Sequence, residues 1–443
     1  MSELTIPFFE VRNNQKLETG RFRELRRFLH NRLIDGMEEE GIHLLKDPQV
    51  LEQRLEDLLV DISPKLTPSL KVHEKTHLRQ QIIQELSGLG PISGLMTEEG
   101  ITDILINGPD EIWVDKHGRL TRTDLQFDND SHLRRFLDRI IGAQGRQLDA
   151  RQPMVDARLP DGSRLHAIIP PLCESGPIVS IRRFHSEKLT AKQLVSSGFL
   201  NQNMLDFLQL AVSAGINIVI AGSAGAGKTT LLNVISGFIP ATERIVTVEE
   251  TAELDLNHPH VIPLESRHVN SEGYGAVSLS DLVRNALRMR ADRIVVGEVR
   301  GIEVLDMLQA MNVGHDGSLT TLHANGPKDV ISRMETLALM GDSGFSRDAI
   351  RQMIAASVQL IVQVMRFRDG SRRIVSICEL VRHDDHNEIR ELFTFRHHKS
   401  FQQDTIKGQH ISTGQHTELA SKVEAKGYTS EQFNRLLQVE SPC

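Results

Sequence analysis

One stretch constrains the fold of this 443-residue chain more than any other. The apolar run Ile216–Ile220 leads into the loop Gly222–Thr229, which reads Gly-Ser-Ala-Gly-Ala-Gly-Lys-Thr, and apolar residues at 231–235 follow with the composition of a helix. Glycines let successive backbone N–H groups surround phosphate oxygens, and a helix N-terminus adds partial positive charge. The G-x-x-x-x-G-K-[ST] pattern therefore predicts a strand, a phosphate-binding loop and a helix that together hold a nucleoside triphosphate.

The loop also predicts the residues that hold ATP and Mg²⁺. The Lys228 ammonium can reach the β- and γ-phosphates, and the Thr229 hydroxyl can bind Mg²⁺. The predicted nucleotide contacts are Gly222, Ser223, Ala224, Gly225, Ala226, Gly227, Lys228, Thr229 and Thr230. The alternative is a glycine-rich turn that joins a strand to a helix and binds nothing.

Composition narrows the class of protein. A chain of this length can form two or three domains, each with its own core. The net charge of −8 and the aromatic content of 4% disfavour broad binding of nucleic acid and a base-stacking platform. Cys173, Cys378 and Cys443 have no metal or disulfide spacing, which is typical of a reducing cytoplasm. Without a run long enough to span a bilayer, membrane association is expected through partner proteins only.

The spacing of the apolar residues changes within the first part of the chain. Leucines at helical spacing predict an N-terminal helical extension over residues 1–75. From residue 101 the period becomes two, which predicts a small α/β domain over residues 76–184 with a helix capped by Ser131. Residues 185–200 are expected to be a linker, and the residues after about 400 are polar and uninformative.

Arginines collect at the predicted strand ends of this first domain. They are Arg151, Arg158, Arg164, Arg182 and Arg183. Two interpretations stay open: a solvated basic edge, or one or two guanidinium groups that reach a γ-phosphate held by the other domain.

Three polar groups follow buried-type strands in the second half. Residues 244–250 end in Glu249 and Glu250, and a carboxylate there can orient an attacking water, although a solvated turn fits equally. The apolar strand at 293–298 ends in Glu298, which is placed to support Mg²⁺ through water. His323 ends the next predicted strand near the γ-phosphate, although a lone histidine is more often structural.

Arginines precede the strand of Glu298 and are either structural or directed at an adjoining subunit. They are Arg284, Arg288 and Arg290.

Together these motifs resemble those of the secretion-ATPase superfamily, which drives type II secretion, type IV pili and type IV secretion. Residues 248–254 are similar to its acidic box, 288–301 to its second nucleotide motif, and 320–325 to its histidine box. Segments 86–91, 101–109 and 155–171 are most similar to the Tad pilus (CpaF-like) branch, as is the helical N-terminal extension. One position departs from the pattern, because Glu250 stands where the family usually has aspartate.

The resemblance implies a RecA-like motor domain over residues 201–443, with a C-terminal extension, preceded by a PAS-like N-terminal domain. It implies a homohexamer at the inner face of the cytoplasmic membrane, working on an inner-membrane platform protein that adds pilins. ATP would lie between the two domains, with Arg164 and Arg182 near the γ-phosphate. Glu249 would position water, Thr229, Glu298 and Glu250 would serve the metal, and His323 would relay the state of the γ-phosphate.

The expected function is therefore a cytoplasmic motor that hydrolyses ATP. One alternative is a nucleic-acid or conjugative translocase with the same motor core. Another is a nucleotide switch that binds ATP without hydrolysing it and acts as a scaffold. No direct nucleic-acid contact is expected.

Overall fold

The structure is a computed structural model that describes residues 25–26, 28–29, 32–33, 48–66, 70–86, 88–116, 118–184, 189–267, 269, 274–341, 344–383, 387–397 and 406–438. The chain divides into two compact units, Met1–His185 and Ser186–Cys443. Both units combine helices with a β-sheet. The predicted α/β class is therefore confirmed.

Two helices form the described part of the N-terminal extension: α1 (Pro48–Ile62) and α2 (Val72–Leu86). Leucines recur every fourth residue along α1, so they lie on one face and are buried. Their cluster contains Leu51, Leu55, Leu59, Leu78 and Ile82. Helix α2 runs across residue 75, where the sequence predicts the boundary between the helical extension and the α/β domain.

The first unit then forms an antiparallel sheet of order β3-β2-β1-β6-β5-β4. Its elements are β1 (Ile101–Asn107), β2 (Ile112–Lys116), β3 (Arg119–Arg122), α3 (Asp130–Gly142), β4 (Met154–Arg158), β5 (Arg164–Ile168) and β6 (Ile178–Arg182). The prediction that Ser131 caps α3 is wrong: Asn129 is the cap, and its side chain accepts the His132 N–H at 2.9 Å. Strand β3 is not predicted from the sequence, because its four residues are all exposed and show no alternation of buried and exposed side chains.

The second unit is built on a nine-stranded sheet, within the residues described, of order β15-β14-β13-β12-β7-β11-β10-β8-β9. The strands are β7 (Ile218–Gly222), β8 (Ile245–Glu249), β9 (Val261–Glu265), β10 (Arg293–Val299), β11 (Leu319–Leu322), β12 (Leu360–Arg366), β13 (Arg372–Arg382), β14 (Asn387–His397) and β15 (Gly408–Ser412). From β12 to β9 neighbouring strands are parallel, and from β12 to β15 they are antiparallel.

Helices cover both faces of this sheet. They are α4 (Ala191–Ser196), α5 (Gln202–Ser213), α6 (Lys228–Ser236), α7 (Leu279–Ala286), α8 (Glu303–Asn312), α9 (Pro327–Met340), α10 (Arg347–Ser357), α11 (Leu419–Ala425) and α12 (Ser430–Leu436). Every residue of β7 is buried, with Ile218 and Ile220 in one apolar cluster and Val219 and Ala221 in the other. This two-sided burial explains why the parallel strands have continuous apolar sequences.

Two segments that the sequence left without structure belong to the core of this unit. Helix α4 lies in the segment predicted as a linker; Thr190 and Gln193 form its capping box, and Leu194 is buried in the core. After residue 400, Phe433 of α12 is fully buried and stacks on Phe207 of α5 with ring centroids 4.6 Å apart. Among the described residues, no helix has the length and apolarity that a bilayer span requires.

Candidate functional site

The glycine-rich loop connects β7 to α6 with backbone geometry that only glycine adopts easily. Gly227 has φ +99°, and a Cβ there would also come within 3.1 Å of the Phe199 ring. The helix predicted after the loop is present as α6, and it starts at Lys228. The Lys228 side chain is buried, and its Nζ donates to the Ser223 carbonyl at 3.1 Å. The ammonium group is thereby held across the mouth of the loop.

The strand order brings the predicted histidine and glutamate to this lysine. Strands β10, β11 and β7 are parallel neighbours, and Val299, Leu322 and Ala221 stand in register at their carboxyl ends. Lys228 Nζ lies 3.4 Å from Nε2 and 3.5 Å from Nδ1 of His323. His323 Nε2 lies in turn 2.8 Å from Oε1 of Glu298.

The electrostatics around His323 favour its neutral form. Burial lowers the pKa of this imidazole, and the nearby Lys228 charge lowers it further, against the opposing effect of Glu298. A neutral imidazole has one donor and one acceptor nitrogen, so His323 can contact a cation and a carboxylate together. A change in charge beside Lys228 would therefore act directly on this ring.

Arg300 links the two acidic motifs. Its guanidinium donates to Glu298 Oε2 and to Glu250 Oε2, each at 2.8 Å. The hydrogen bond to Glu298 is the main reason why the pKa of Arg300 is raised. Glu303 fixes the backbone here, because its Oε1 accepts the Arg300 N–H at 2.6 Å and the Gly301 N–H at 2.7 Å.

Glu249 is the carboxylate with the most strongly shifted pKa at this edge of the sheet. Burial raises the pKa of its side chain to about 7, although the N–H groups of Glu253 and Leu254 each donate to Oε1 at 2.8 Å and favour the charged form. Gly297 makes room for it, since a Cβ at residue 297 would stand 3.0 Å from Glu249 Cγ. A carboxylate with a pKa near 7 suits a general base.

The residues at this edge fit a nucleotide and a hard divalent cation. The loop glycines leave space where a Cβ would meet Phe199, and their backbone lies at the start of α6, where anions are favoured. Oε1 of Glu298 is buried and lies 2.8 Å from His323 Nε2, but the two groups are not aligned for a hydrogen bond. Among the described residues, this oxygen accepts no hydrogen bond. Together with the Thr229 hydroxyl it offers the oxygen ligands that Mg²⁺ prefers.

Two of the predicted arginines belong to the first unit. Arg164 and Arg182 are cross-strand partners on β5 and β6 of the first unit, beside Asp156 at 3.3 Å and Asp103 at 3.7 Å respectively. Their approach to a γ-phosphate stays a prediction. In the second unit Arg284 donates to buried Asp306 at 2.8 Å, as the structural interpretation expects.

Sequence reasoning missed residues whose roles depend on strand order. Gly297 precedes Glu298 on β10, Arg300 follows the end of that strand, and Arg372 donates from β13 to the Gly225 carbonyl at 2.8 Å. A glycine inside an apolar strand is a usable indication of close approach by a neighbour. The position of Arg372 has no comparable local pattern, because 147 residues separate it from the loop.

A central parallel strand with a glycine-rich phosphate loop, and acidic side chains at the same edge, defines the class of P-loop nucleotide-binding proteins. Within that class the chain belongs to the type II/IV secretion system protein family, whose model matches residues 85–416. The predicted superfamily is thereby confirmed.

Individual relatives fall within secretion and transfer systems. The putative conjugal transfer protein Rv3659c of Mycobacterium tuberculosis is 42% identical over 302 residues, 67% of this chain and 85% of the relative. The type IV secretion system protein PtlH of Bordetella pertussis is 31% identical over 315 residues, 64% and 91% of the two chains. A solved structure of the VirB11 ATPase of the Brucella suis type IV secretion system is similar at 26% identity and TM-score 0.36, covering 65% and 91%. The pilus retraction motor PilT is similar at 20% identity and TM-score 0.49, covering 68% and 82%.

Proposed function

We propose that this protein is the ATP-hydrolysing motor subunit of a Tad-type pilus or a type II/IV secretion machine. In this proposal it assembles as a homohexamer on the cytoplasmic face of the inner membrane and moves a platform protein there. The observation that carries the proposal is the cluster of Lys228, His323 and Glu298 at the phosphate loop, beside the buried Glu249. A cleft that only bound nucleotide would not need a buried carboxylate with a pKa near 7.

Each residue of the cluster has a proposed task. Lys228 and the loop N–H groups bind the β- and γ-phosphates, and Thr229 with Glu298 would hold Mg²⁺. Glu250 would be a further carboxylate for the cation, in competition with Arg300. When bound, the cation would neutralise phosphate charge.

The proposed proton transfer uses residues of this chain. Above its pKa Glu249 is ionised and accepts a proton from the attacking water, while the Glu253 and Leu254 N–H groups keep its carboxylate oriented. His323 contacts Lys228 on one side and Glu298 on the other, so loss of the γ-phosphate changes its charge environment. Arg164 and Arg182 are proposed to neutralise γ-phosphate charge in the assembled ring, in place of their present carboxylate partners.

Steady-state phosphate release tests hydrolysis against the scaffold alternative. Glu298→Gln should bind ATP in calorimetry yet lose at least a hundredfold in turnover, because removing one preorganised charge from such a site costs about that factor. Glu424→Gln on the exposed face of α11 is the control and should match the unmodified protein. Normal turnover by Glu298→Gln would contradict the proposed role of Glu298, and absence of any turnover in the unmodified protein would favour the scaffold.

A nucleic-acid translocase is a second candidate, because a relative at 42% identity carries the name of a putative conjugal transfer protein. Duplex and single-stranded DNA added at physiological salt distinguish the two. We expect ATP hydrolysis to be unchanged by DNA, as the net charge of −8 gives little phosphate attraction. A severalfold stimulation would favour the translocase.

A further inference from the structure

Two arginines stand beside the phosphate loop on the side opposite His323. Strand β12 pairs in parallel with β7, with Val364 level with Gly222, so Arg366 extends just past the point where the loop begins. Arg372 is its cross-strand partner at the start of β13. The chain reversal between β12 and β13 thus places both guanidinium groups at the carboxyl edge of the sheet, where ligands of such sheets bind.

Both side chains lie against the loop itself. Arg372 Nε donates to the Gly225 carbonyl at 2.8 Å, and its Cδ is 3.5 Å from where a Cβ on Gly227 would stand. Arg366 Nη1 is 3.5 Å from the corresponding position on Gly225. The two arginines therefore border the same glycines that form the phosphate cradle.

The turn between them is fixed by its own hydrogen bonds. The Phe367 N–H donates to the Ser371 carbonyl at 2.8 Å, which closes the hairpin. The Asp369 carboxylate accepts from the Ser371 hydroxyl at 2.6 Å and from the Ile406 N–H at 2.7 Å, and such bonds lower its pKa. A fixed turn presents the arginines in one orientation, which favours a binding role over a loosely solvated one.

The strand order fixes which end of a nucleotide these arginines would meet. Lys228, which serves the β- and γ-phosphates, faces His323 and Glu298 on the β11 and β10 side of β7. Strand β12 flanks β7 on the other side. A triphosphate whose γ end lies toward β11 must direct its α-phosphate and nucleoside toward β12.

We propose that Arg366 and Arg372 bind the α-phosphate end of the nucleotide. This inference rests on the proposed binding of ATP at the loop. A guanidinium group is always charged and presents a planar fork of donors that matches two phosphate oxygens. Because the α-phosphate is present in ATP and in ADP, these residues should strengthen the binding of both nucleotides equally.

Calorimetry with ATP and with ADP on the full-length protein tests the proposal. Arg366→Ala should weaken both nucleotides by the same factor, about tenfold or more, as expected for the loss of one charge-assisted hydrogen bond. Arg366→Lys should recover part of the loss, and Arg372→Ala should act in the same direction. Arg382→Ala, at the exposed far end of β13, is the matched control and should change neither affinity.

Arg366→Ala is the decisive variant because Arg372→Ala also removes the bond to Gly225. Unchanged affinity for both nucleotides in Arg366→Ala, or a loss confined to ATP, would overturn the inference. The Lys228→Ala variant separates this failure from a failure of the proposed function. If Lys228→Ala loses binding while Arg366→Ala keeps it, only the α-phosphate role is wrong; if Lys228→Ala binds normally, the nucleotide site itself is wrong.

Discussion

Replacing Glu249 with glutamine should stabilise the second unit relative to the unmodified protein, and the gain should be larger at pH 8 than at pH 5.5. The side chain is only 4% exposed and its pKa is about 7 in the folded protein, against an ordinary value of 4.5. The glutamine carbonyl oxygen can still accept the Glu253 and Leu254 N–H groups. The substitution therefore removes a buried charge and keeps the hydrogen bonds.

The sign follows from proton binding. Between pH 4.5 and pH 7 the folded protein holds a proton on Glu249 that the unfolded chain has lost, so stability falls as the pH rises through this window and is constant above it. At about 1.4 kcal/mol for each pH unit, the buried Glu249 lowers the free energy of unfolding by about 1 kcal/mol at pH 5.5 and by about 3 kcal/mol at pH 8. Glu249→Gln should recover the difference, about 2 kcal/mol more stabilisation at pH 8 than at pH 5.5.

Hydrogen exchange in a urea series, read on peptides from β8 and β10, measures this stability locally. The single tryptophan, Trp113, lies in the first unit and would not report it. Glu424→Gln on α11 serves as the exposed control. Equal stabilisation by Glu249→Gln at both pH values, or destabilisation at pH 8, would refute the assignment of a buried, raised-pKa carboxyl.

The phosphate-release rate of the unmodified protein should rise about tenfold from pH 6 to pH 8, because the ionised fraction of Glu249 rises by that factor over this range.

Two further predictions concern packing. Gly297→Ala should lower turnover while ATP affinity is kept, because the new Cβ stands 3.0 Å from Glu249 Cγ. Phosphate release measures the turnover, and calorimetry measures the affinity. Gly326→Ala is the control, because a Cβ there would meet open space. Phe433→Ala should destabilise the second unit by about 3–5 kcal/mol, since the ring is fully buried against Phe207. Hydrogen exchange on peptides from α5 measures this loss of stability. A loss below about 1 kcal/mol would contradict a core role for the C-terminal segment.

Local patterns were sufficient to predict the phosphate loop and the acidic strand ends. The run before Gly222 and the run before Glu298 are each continuous and apolar, so strand, loop and polar end are encoded within about ten residues. Burial of Glu249 could not be predicted in this way. It depends on Gly297, which lies 48 positions away and becomes a neighbour only when β10 pairs with β8.

The same distinction applies to the arginines and the C-terminal segment. Arg366 and Arg372 reach the loop only because β12 crosses to pair with β7. Phe433 lies in a polar, short helix whose sequence indicates no partner, and its contact with Phe207 joins positions more than two hundred residues apart. Hydrophobic periodicity reports which face of an element is buried, and it does not report which element covers that face.

Glu250 stands where the family resemblance leads us to expect aspartate, and the longer side chain has a physical consequence. Arg300 donates to Glu298 and to Glu250 at 2.8 Å each, so a single cation balances two carboxylates at the edge of the sheet. An aspartate would shorten the side chain by one carbon–carbon bond, about 1.5 Å, and would leave the hydrogen bond to Arg300 unmade in this geometry. Arg300 would then pair with Glu298 alone. The longer side chain thus joins residue 250 to the connected contacts of Lys228, His323 and Glu298, and a change at the phosphate loop can act on the acidic segment through Arg300.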